Sequence, residues 1–282
     1  MTRRLLPYLF LLPALTLFGV YTLAPFGSLL RLIFFETDYI TERFIGLGNF
    51  VRLFQDVRFW RSIGTSGAFV AAIVPAQVGL SLLIAMLVID SSKRVQDITR
   101  LVFYVPLFAS GVILAQVWGW IYHPQVGLAN WLLGLVGAEP IYWFNGRWTA
   151  LIALSTMTVL SSLGGSIMLF LATALGVPHE LYESARIDGA SAGQIRWRIV
   201  APLIAPTVAF VILNTMLGTF SLWQPIYMLT NGGPDHGTET LMYSIYLDGF
   251  IYGDFGLAAV KTAVLFLLAV GIAIAAKKVK AL

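Results

Sequence analysis

Long apolar runs separated by short polar segments set the pattern of this chain. A helix of roughly 20 apolar residues crosses a hydrocarbon core about 30 Å thick. Six runs reach that length, at about 8–34, 66–89, 101–122, 149–175, 203–229 and 258–276. The first, fourth and fifth contain Gly or Pro, which spans tolerate where neighbouring helices cover the freed backbone groups. The pattern predicts an all-α membrane protein, a single transmembrane domain over 1–282 with six transmembrane helices. One segment breaks the pattern. Between Val177 and Pro206 the chain reads VPHELYESARIDGASAGQIRWRIVAPLIAP, where charge, turn residues and helix signals coincide between the fourth and fifth runs.

Composition agrees with the pattern. The chain is 58% hydrophobic and 11% charged, with a mean hydropathy of +0.82, a profile of polytopic membrane proteins and not of soluble globules. The net charge of +4 comes from scattered Lys and Arg, with no cluster able to track phosphates, so nucleic acid is not an expected partner. The absence of cysteine excludes a disulfide framework and thiolate metal sites. His123, His179 and His236 are isolated, so no metal site and no catalytic constellation is expected. Arg3 and Arg4 ahead of the first run resemble a signal peptide, but the apolar stretch is too long for an h-region and no small-residue cleavage site ends it. It is expected to be an uncleaved first span.

Six spans place both termini on one side. With the termini inside, eleven Lys and Arg face the cytoplasm (Arg3, Arg4, Lys93, Arg94, Arg100, Arg186, Arg196, Arg198, Lys277, Lys278, Lys280) against seven outside, which favours cytoplasmic termini. Apart from Lys261, near one end of the sixth run, the span interiors hold no ionisable residue. Ion-coupled carriers and proton pumps keep such residues at membrane depth. The polar groups inside the spans are neutral: Gln77, Gln116, Ser161, Ser162, Ser166, Asn214, Thr215, Thr219, Ser221 and Gln224. They suit a pathway for a neutral, hydroxyl-rich solute, or interhelical hydrogen bonds of about 0.6 kcal/mol each. Trp60, Trp131, Trp143 and Trp148 suit the aromatic belt at the membrane surface.

The polar stretch predicts a helix–turn–helix. Pro178 fits a first turn, with Glu180 and Glu183 toward the positive end of the helix. Gly189 is placed to end that helix. Ser191 and Gln194 match a capping box that starts a second short helix through Arg196 and Arg198, and Pro202 and Pro206 open the next span. A basic amphipathic helix could rest on lipid. The acidic first helix here is poorly suited to an anionic leaflet, and a docking protein fits it better.

These residues resemble the membrane subunits of binding-protein-dependent ABC importers, marked by the pattern E-A-A-x3-G-x9-I-x-L-P. The chain supplies Glu183-Ser184-Ala185, Gly189, Ile199 and Pro202 at matching offsets, with Ser184 in place of the central Ala and Ala201 in place of the Leu. ELYESARIDGAS is similar to the carbohydrate-permease branch. LTNGGPDHGTETLMYSIYLDGF at 229–250, GLGNFVRLFQDVRFWRS at 46–62 and GLANWLL at 127–133 are similar to further motifs of the maltose- and glycerol-3-phosphate-type permeases. The similarity runs nearly end to end.

The resemblance implies an ATP-driven importer of a mono- or oligosaccharide or related polyol, in the cytoplasmic (inner) membrane of a bacterium or archaeon. The partners it implies are a second homologous permease subunit, two ATPase subunits and a soluble solute-binding protein that meets the outer loops. The loop 177–202 would be a coupling loop seated in a cleft of the ATPase. Glu183 would make a polar contact there, Gly189 would permit the turn, and Leu181, Tyr182, Ala185 and Asp188 would fill or border the cleft. The chain has no G-x-x-x-x-G-K-[ST] loop, so it is not expected to be an enzyme, and ATP and Mg would be bound by the partner. For substrate contact the family positions carried over are Thr158, Ser161, Ser162 and Gly165 on the fourth span. On the fifth they are Thr215, Gly218, Thr219 and Leu222, whose spacing predicts one helical face. Close packing of small residues is the alternative for Gly165 and Gly218. An ion-coupled secondary carrier of a neutral solute is the alternative for the whole chain; it would need buried carboxylates and inverted repeats, and neither is evident.

Overall fold

A computed structural model describes residues 2–38 and 40–279, and the side chains of 10–38 and 40–275. In chain order, α1 (Thr2–Phe18) and α2 (Ala24–Leu32) are joined by a π turn at Gly19–Leu23. Strands β1 (Phe35–Thr37) and β2 (Glu42–Phe44) pair antiparallel, with Glu36 opposite Arg43. Then follow α3 (Gly48–Gln55), α4 (Val57–Val88), α5 (Lys93–Tyr104), α6 (Gly111–Ile121), α7 (Leu128–Leu135) and α8 (Arg147–Leu175). The polar stretch forms α9 (His179–Ile187), α10 (Ala192–Ile195), a π turn at Arg196–Val200 and α11 (Ala201–Leu203). The chain continues as α12 (Ala205–Phe220), α13 (Gln224–Leu229), α14 (Leu241–Tyr246) and α15 (Phe255–Val279).

Among the described residues, four helices are long and apolar enough to cross a membrane, at Phe10–Leu32, Val57–Val88, Arg147–Leu175 and Phe255–Ala275. Two bent pairs raise the number to six if each is one span: Lys93–Phe108 with Gly111–Ile121, bent by 107°, and Ala192–Leu203 with Ala205–Phe220, bent by 66°. The third and fifth of the six expected runs thus meet bends, and the small β-hairpin qualifies the all-α reading. The breaks have local causes. Pro106 cannot donate within a helix, Val105–Phe108 tightens into a 3-10 turn, and Ser110 caps a fresh helix by accepting from the Ile113 amide at 3.3 Å. Ile204 (φ −92, ψ 6) lies between Pro202 and Pro206. Pro206 opens α12 as expected, whereas Pro202 lies inside the preceding helix. The fifth run also stops early: α12 ends at Phe220, because Pro225 bars the helix from continuing through it. The second run begins nine residues before its expected start, at Val57 instead of 66.

The chain divides into two compact units, Met1–Trp60 with Ser244–Leu267 and Arg61–Tyr243 with Leu268–Leu282. In the first, Asn49 is fully buried and donates to the carbonyls of Ile33 (3.1 Å) and Phe35 (2.9 Å). Arg52 donates to its oxygen at 3.2 Å. Lys261 is fully buried too, ion-paired with Asp248 at 2.6 Å and Asp56 at 3.3 Å, and donating to the Ser244 hydroxyl at 2.8 Å.

In the second unit, α8 meets the backbone of α5 at Gly164, where a Cβ would lie 2.1 Å from the Phe103 carbonyl oxygen and 2.8 Å from the Tyr104 Cα. Only glycine permits that approach. Asn130 wires the loop around α7: its amide donates to the carbonyls of Pro124 (2.8 Å) and Ile141 (3.0 Å) and accepts from the Ile141 amide and the Trp143 ring. Trp143 is thus a loop brace, while Trp131 and Trp148 are exposed, as a belt position requires. The apolar core of this unit joins Ala85 and Met86 of α4, Ile89 just past its end, and Phe170, Leu171 and Ala174 of α8 to Ala185, Ile195 and Val200 of the polar stretch.

Candidate functional site

The helical hairpin 177–203 is built as its sequence dictates. Pro178 stands one position ahead of α9 as its N-cap, and Glu180 occupies the first turn. At the other end Gly189 takes φ +80, a left-handed conformation that a Cβ disfavours. Its amide donates to Arg186 O at 3.0 Å, and the next amide, of Ala190, reaches back to Ala185 O at 2.9 Å. This is the paired closure that ends many helices at a glycine. The capping box is complete, with Ser191 Oγ accepting from the Gln194 amide (3.3 Å) and Gln194 Oε1 accepting from the Ser191 amide (2.8 Å).

The hairpin has two faces. Ala185, 7% exposed, is turned into the core. Tyr182 packs beside it and donates its hydroxyl to Ala174 O of α8 at 3.3 Å. Burial, reinforced by the Asp90 carboxylate, pushes the Tyr182 phenol above its ordinary value. Arg196 Nε donates to Asp90 Oδ2, just past the end of α4, at 2.8 Å. The other face is open: Leu181, Glu183, Asp188 and Gly189 are exposed, and Ile187 reaches 86%. Glu183 there contacts His179 Nδ1 at 3.2 Å. Of the six residues expected at an ATPase cleft, four therefore lie on the open face. Tyr182 and Ala185 anchor the hairpin from inside. A cavity of about 260 Å³ between its two legs is lined by Asp188, Gly189, Gln194 and Arg198.

The polar residues of the spans separate by role. Ser162 Oγ donates to Gln77 Oε1 at 2.7 Å, and Gln77 Nε2 donates to Ser166 Oγ at 3.3 Å, joining α8 to α4. Trp118 Nε1 of α6 donates to Ser161 Oγ at 3.2 Å. The interhelical alternative is thus realised at Ser161 and Ser162. Thr158 and Thr219 each turn their hydroxyl to the carbonyl four residues back, at 2.8 Å, the usual way a span satisfies a lone hydroxyl. Thr215 and Thr219 are buried. Leu222 does not share their helical face, since it lies beyond the end of α12, where its carbonyl accepts from Thr240 Oγ1 at 2.6 Å. Gly165 and Gly218 have nothing within 4 Å of a built Cβ, so neither is a packing glycine. Gly164, which the sequence reading passed over, holds that role.

Two features were missed. Asp90 lies 106 positions from Arg196, a separation no local pattern reveals. Gln224 lies so close to Gly111 that a Cβ there would meet its Oε1 at 2.3 Å, and the Gln-Pro dipeptide was the available sign of a break. The LTNGGP loop is tightly wound as well. Asn231, Asp235 and His236 have positive φ, Thr238 Oγ1 donates to Gly233 O at 2.8 Å, and a Cβ on Gly237 would lie 2.8 Å from Arg147 Cγ.

Comparison with known proteins bears on this arrangement. Residues 58–279 match the family described as "Binding-protein-dependent transport system inner membrane component". The probable ABC transporter permease protein YurN of Bacillus subtilis is 30% identical over 94% of this chain and 92% of its own. The trehalose/maltose transport system permease protein MalF of Thermococcus litoralis is 28% identical, with 97% and 93% covered. The sn-glycerol-3-phosphate transport system permease protein UgpA of Yersinia pseudotuberculosis is 30% identical, with 95% and 92% covered. In fold the chain is similar to a bacterial alginate ABC transporter solved in complex with an alginate-pentasaccharide-bound periplasmic protein. The TM-score is 0.86 at 23% identity, covering 98% of this chain and 93% of the other. The match over most of its length places this chain in the family of inner membrane components of binding-protein-dependent transport systems.

Proposed function

We propose that the chain is a permease subunit of an ATP-driven importer that carries a carbohydrate or related polyol by alternating access, and that the hairpin 177–203 docks on a separate ATPase. The observation that carries this reading is the two-faced hairpin. Its inner face is bound into the core through Ala185, Tyr182 and Ile195, and its outer face presents Leu181, Glu183, Ile187 and Asp188 with no cover. Apolar side chains beside carboxylates at a rigid, glycine-ended helix suit a protein cleft better than an anionic lipid surface.

In this reading the two units act as one transmembrane domain with six crossings, each bent pair counting once, and both termini and the hairpin are cytoplasmic. Arg3, Arg4, Lys277, Lys278 and Lys280, which bear on that orientation, lie outside the described side chains. The ATPase dimer binds ATP and Mg. A second, related permease completes the pathway, and a soluble binding protein delivers the solute to the outer loops. Closure of the ATPase on ATP drives the switch because the nucleotide-bound state binds one conformation better than the other.

A carbohydrate is supported by relatives named for trehalose and maltose and by the neutral hydroxyl groups on α8 and α12. A phosphorylated solute would favour a free buried cation. Among the described residues the buried cation is Lys261, which already faces two carboxylates. Thr158, Ser161, Ser162, Gly165, Thr215, Gly218 and Thr219 remain the proposed lining. Gly165 and Gly218 supply open space, and Ser161 and Ser162 must exchange a helix partner for the solute. An ion-coupled carrier is disfavoured by the family match.

Glu183→Lys tests the docking role. The expected outcome is a folded permease that no longer copurifies with the ATPase or no longer couples hydrolysis to uptake. Normal coupling in that variant would refute it. Copurifying the complex with its binding protein, then identifying the retained ligand, tests the solute class.

A further inference from the structure

The hairpin touches the spans in two chemically different ways. Ala185, Ile195 and Val200 share an apolar core with Met86 of α4, with Ile89 just past its end, and with Phe170 and Ala174 of α8. Apolar contact is not directional, so it holds the elements together without fixing how one turns on another. The Asp90–Arg196 pair is directional, with one N–H aimed at one carboxylate oxygen at 2.8 Å. It is also placed where rotation matters, at the end of α4 and on a π turn, Arg196–Val200, that interrupts the second leg of the hairpin. Such turns are frequent at functional sites. Both side chains are partly exposed, 23% for Arg196 and 36% for Asp90, and an ion pair in that setting adds little to fold stability. Its value therefore lies in orientation.

We propose that Asp90 and Arg196 form the linkage that makes α4 turn with the hairpin when the ATPase moves it. This rests on the docking role given to the hairpin above. Asp90 is a positioning residue. It meets neither solute nor nucleotide, and acts by keeping the long helix α4, which carries Gln77 opposite Ser162, in register with the hairpin. Tyr182 fastens the other leg to α8 through Ala174, so two spans are held at separate points of one rigid element.

This chain has no cysteine, so it can be labelled selectively in an importer assembled in lipid vesicles with cysteine-free partner subunits. Spin labels on Leu87→Cys and Trp197→Cys, both at exposed positions, report the separation of α4 from the hairpin. With Asp90 and Arg196 intact, the distance distribution is expected to be narrow and unchanged when ATP and vanadate trap the closed ATPase. Asp90→Asn is expected to stay narrow without nucleotide and to shift or split with it, accompanied by ATP hydrolysis less responsive to the binding protein. The charge exchange Asp90→Arg with Arg196→Asp is expected to restore the single distance. A distribution in Asp90→Asn that nucleotide leaves untouched overturns the proposal. So does one already broad without nucleotide, which marks the pair as a brace of the fold. Glu183→Lys separates the two readings: retained ATPase binding and coupling in that variant defeats the docking role itself. Loss of coupling there, with an unshifted Asp90→Asn, defeats only the linkage.

Discussion

Replacing Lys261 by methionine isolates the cost of burying charge in this chain. The Lys261 side chain is 0% exposed and that of Asp248 6%, at 2.6 Å from each other. Asp56, 27% exposed, retains access to water, and its pairing adds at most about 1 kcal/mol. Lys261→Met therefore acts mainly by leaving Asp248 without its counter-ion. Breaking one side of a buried pair costs about 3–5 kcal/mol. Asp248→Asn alone should also destabilise, since it leaves the buried ammonium with the Ser244 hydroxyl and only the part-exposed Asp56 as counter-ion. The double variant removes both charges and should lose at least about 2 kcal/mol less than the two single losses added together.

The defect should also depend on pH. Burial pushes the Asp248 carboxyl above the usual carboxylate value, and Lys261 opposes that shift. Without Lys261 the folded-state value rises further. A carboxyl raised by folding contributes stability that is present below its unfolded value and is lost as pH rises through the folded one. Lys261→Met should thus be less impaired near pH 5 than near pH 8. Thermal unfolding of the purified variants in detergent at both values measures this. A double-variant loss equal to the sum of the single losses, within about 0.5 kcal/mol, would refute the reasoning, as would a defect indifferent to pH.

Two further substitutions test packing and turn. Gly164→Ala places a methyl 2.1 Å from the Phe103 carbonyl oxygen and should cost about 1–3 kcal/mol through forced separation of α8 from α5. Gly165→Ala, with nothing within 4 Å, should leave the melting temperature unchanged while narrowing the proposed pathway and lowering uptake. Gly189→Ala forces a Cβ into φ +80, at a cost of roughly 1–2 kcal/mol. It should increase proteolytic cleavage at the hairpin without altering folding of the spans.

Much of this architecture was legible because the apolar runs are long and the capping residues are specific. Ser191, Gln194 and Gly189 fold as their local chemistry dictates, since each satisfies its own backbone neighbours within a few residues. Bends are harder to read. The third and fifth runs carry no charge, so hydropathy registers length and misses the 107° and 66° changes of direction. Pro106, Pro202 and Pro225 were visible, but a span can absorb a proline, and only the surrounding packing decides whether it breaks. Long-range pairs were out of reach altogether. Nothing near Lys261 announces Asp56, nothing near Arg196 announces Asp90, and the choice between adjacent Gly164 and Gly165 depends on where another helix happens to pass. The helical face expected for the carried-over positions was legible in part. Its four positions on α8 do share a helix, whereas Leu222 fell beyond a break that the spacing argument could not foresee.

Asn49 and Asn130 carry a practical consequence for anyone redesigning this transporter. Both belong to the short motifs by which the chain is recognised, and both have every amide group committed to holding a loop. These two letters of the recognised motifs are thus loop scaffolding. A library aimed at a new solute should leave them fixed and vary the small positions of α8 and α12 proposed above as its lining.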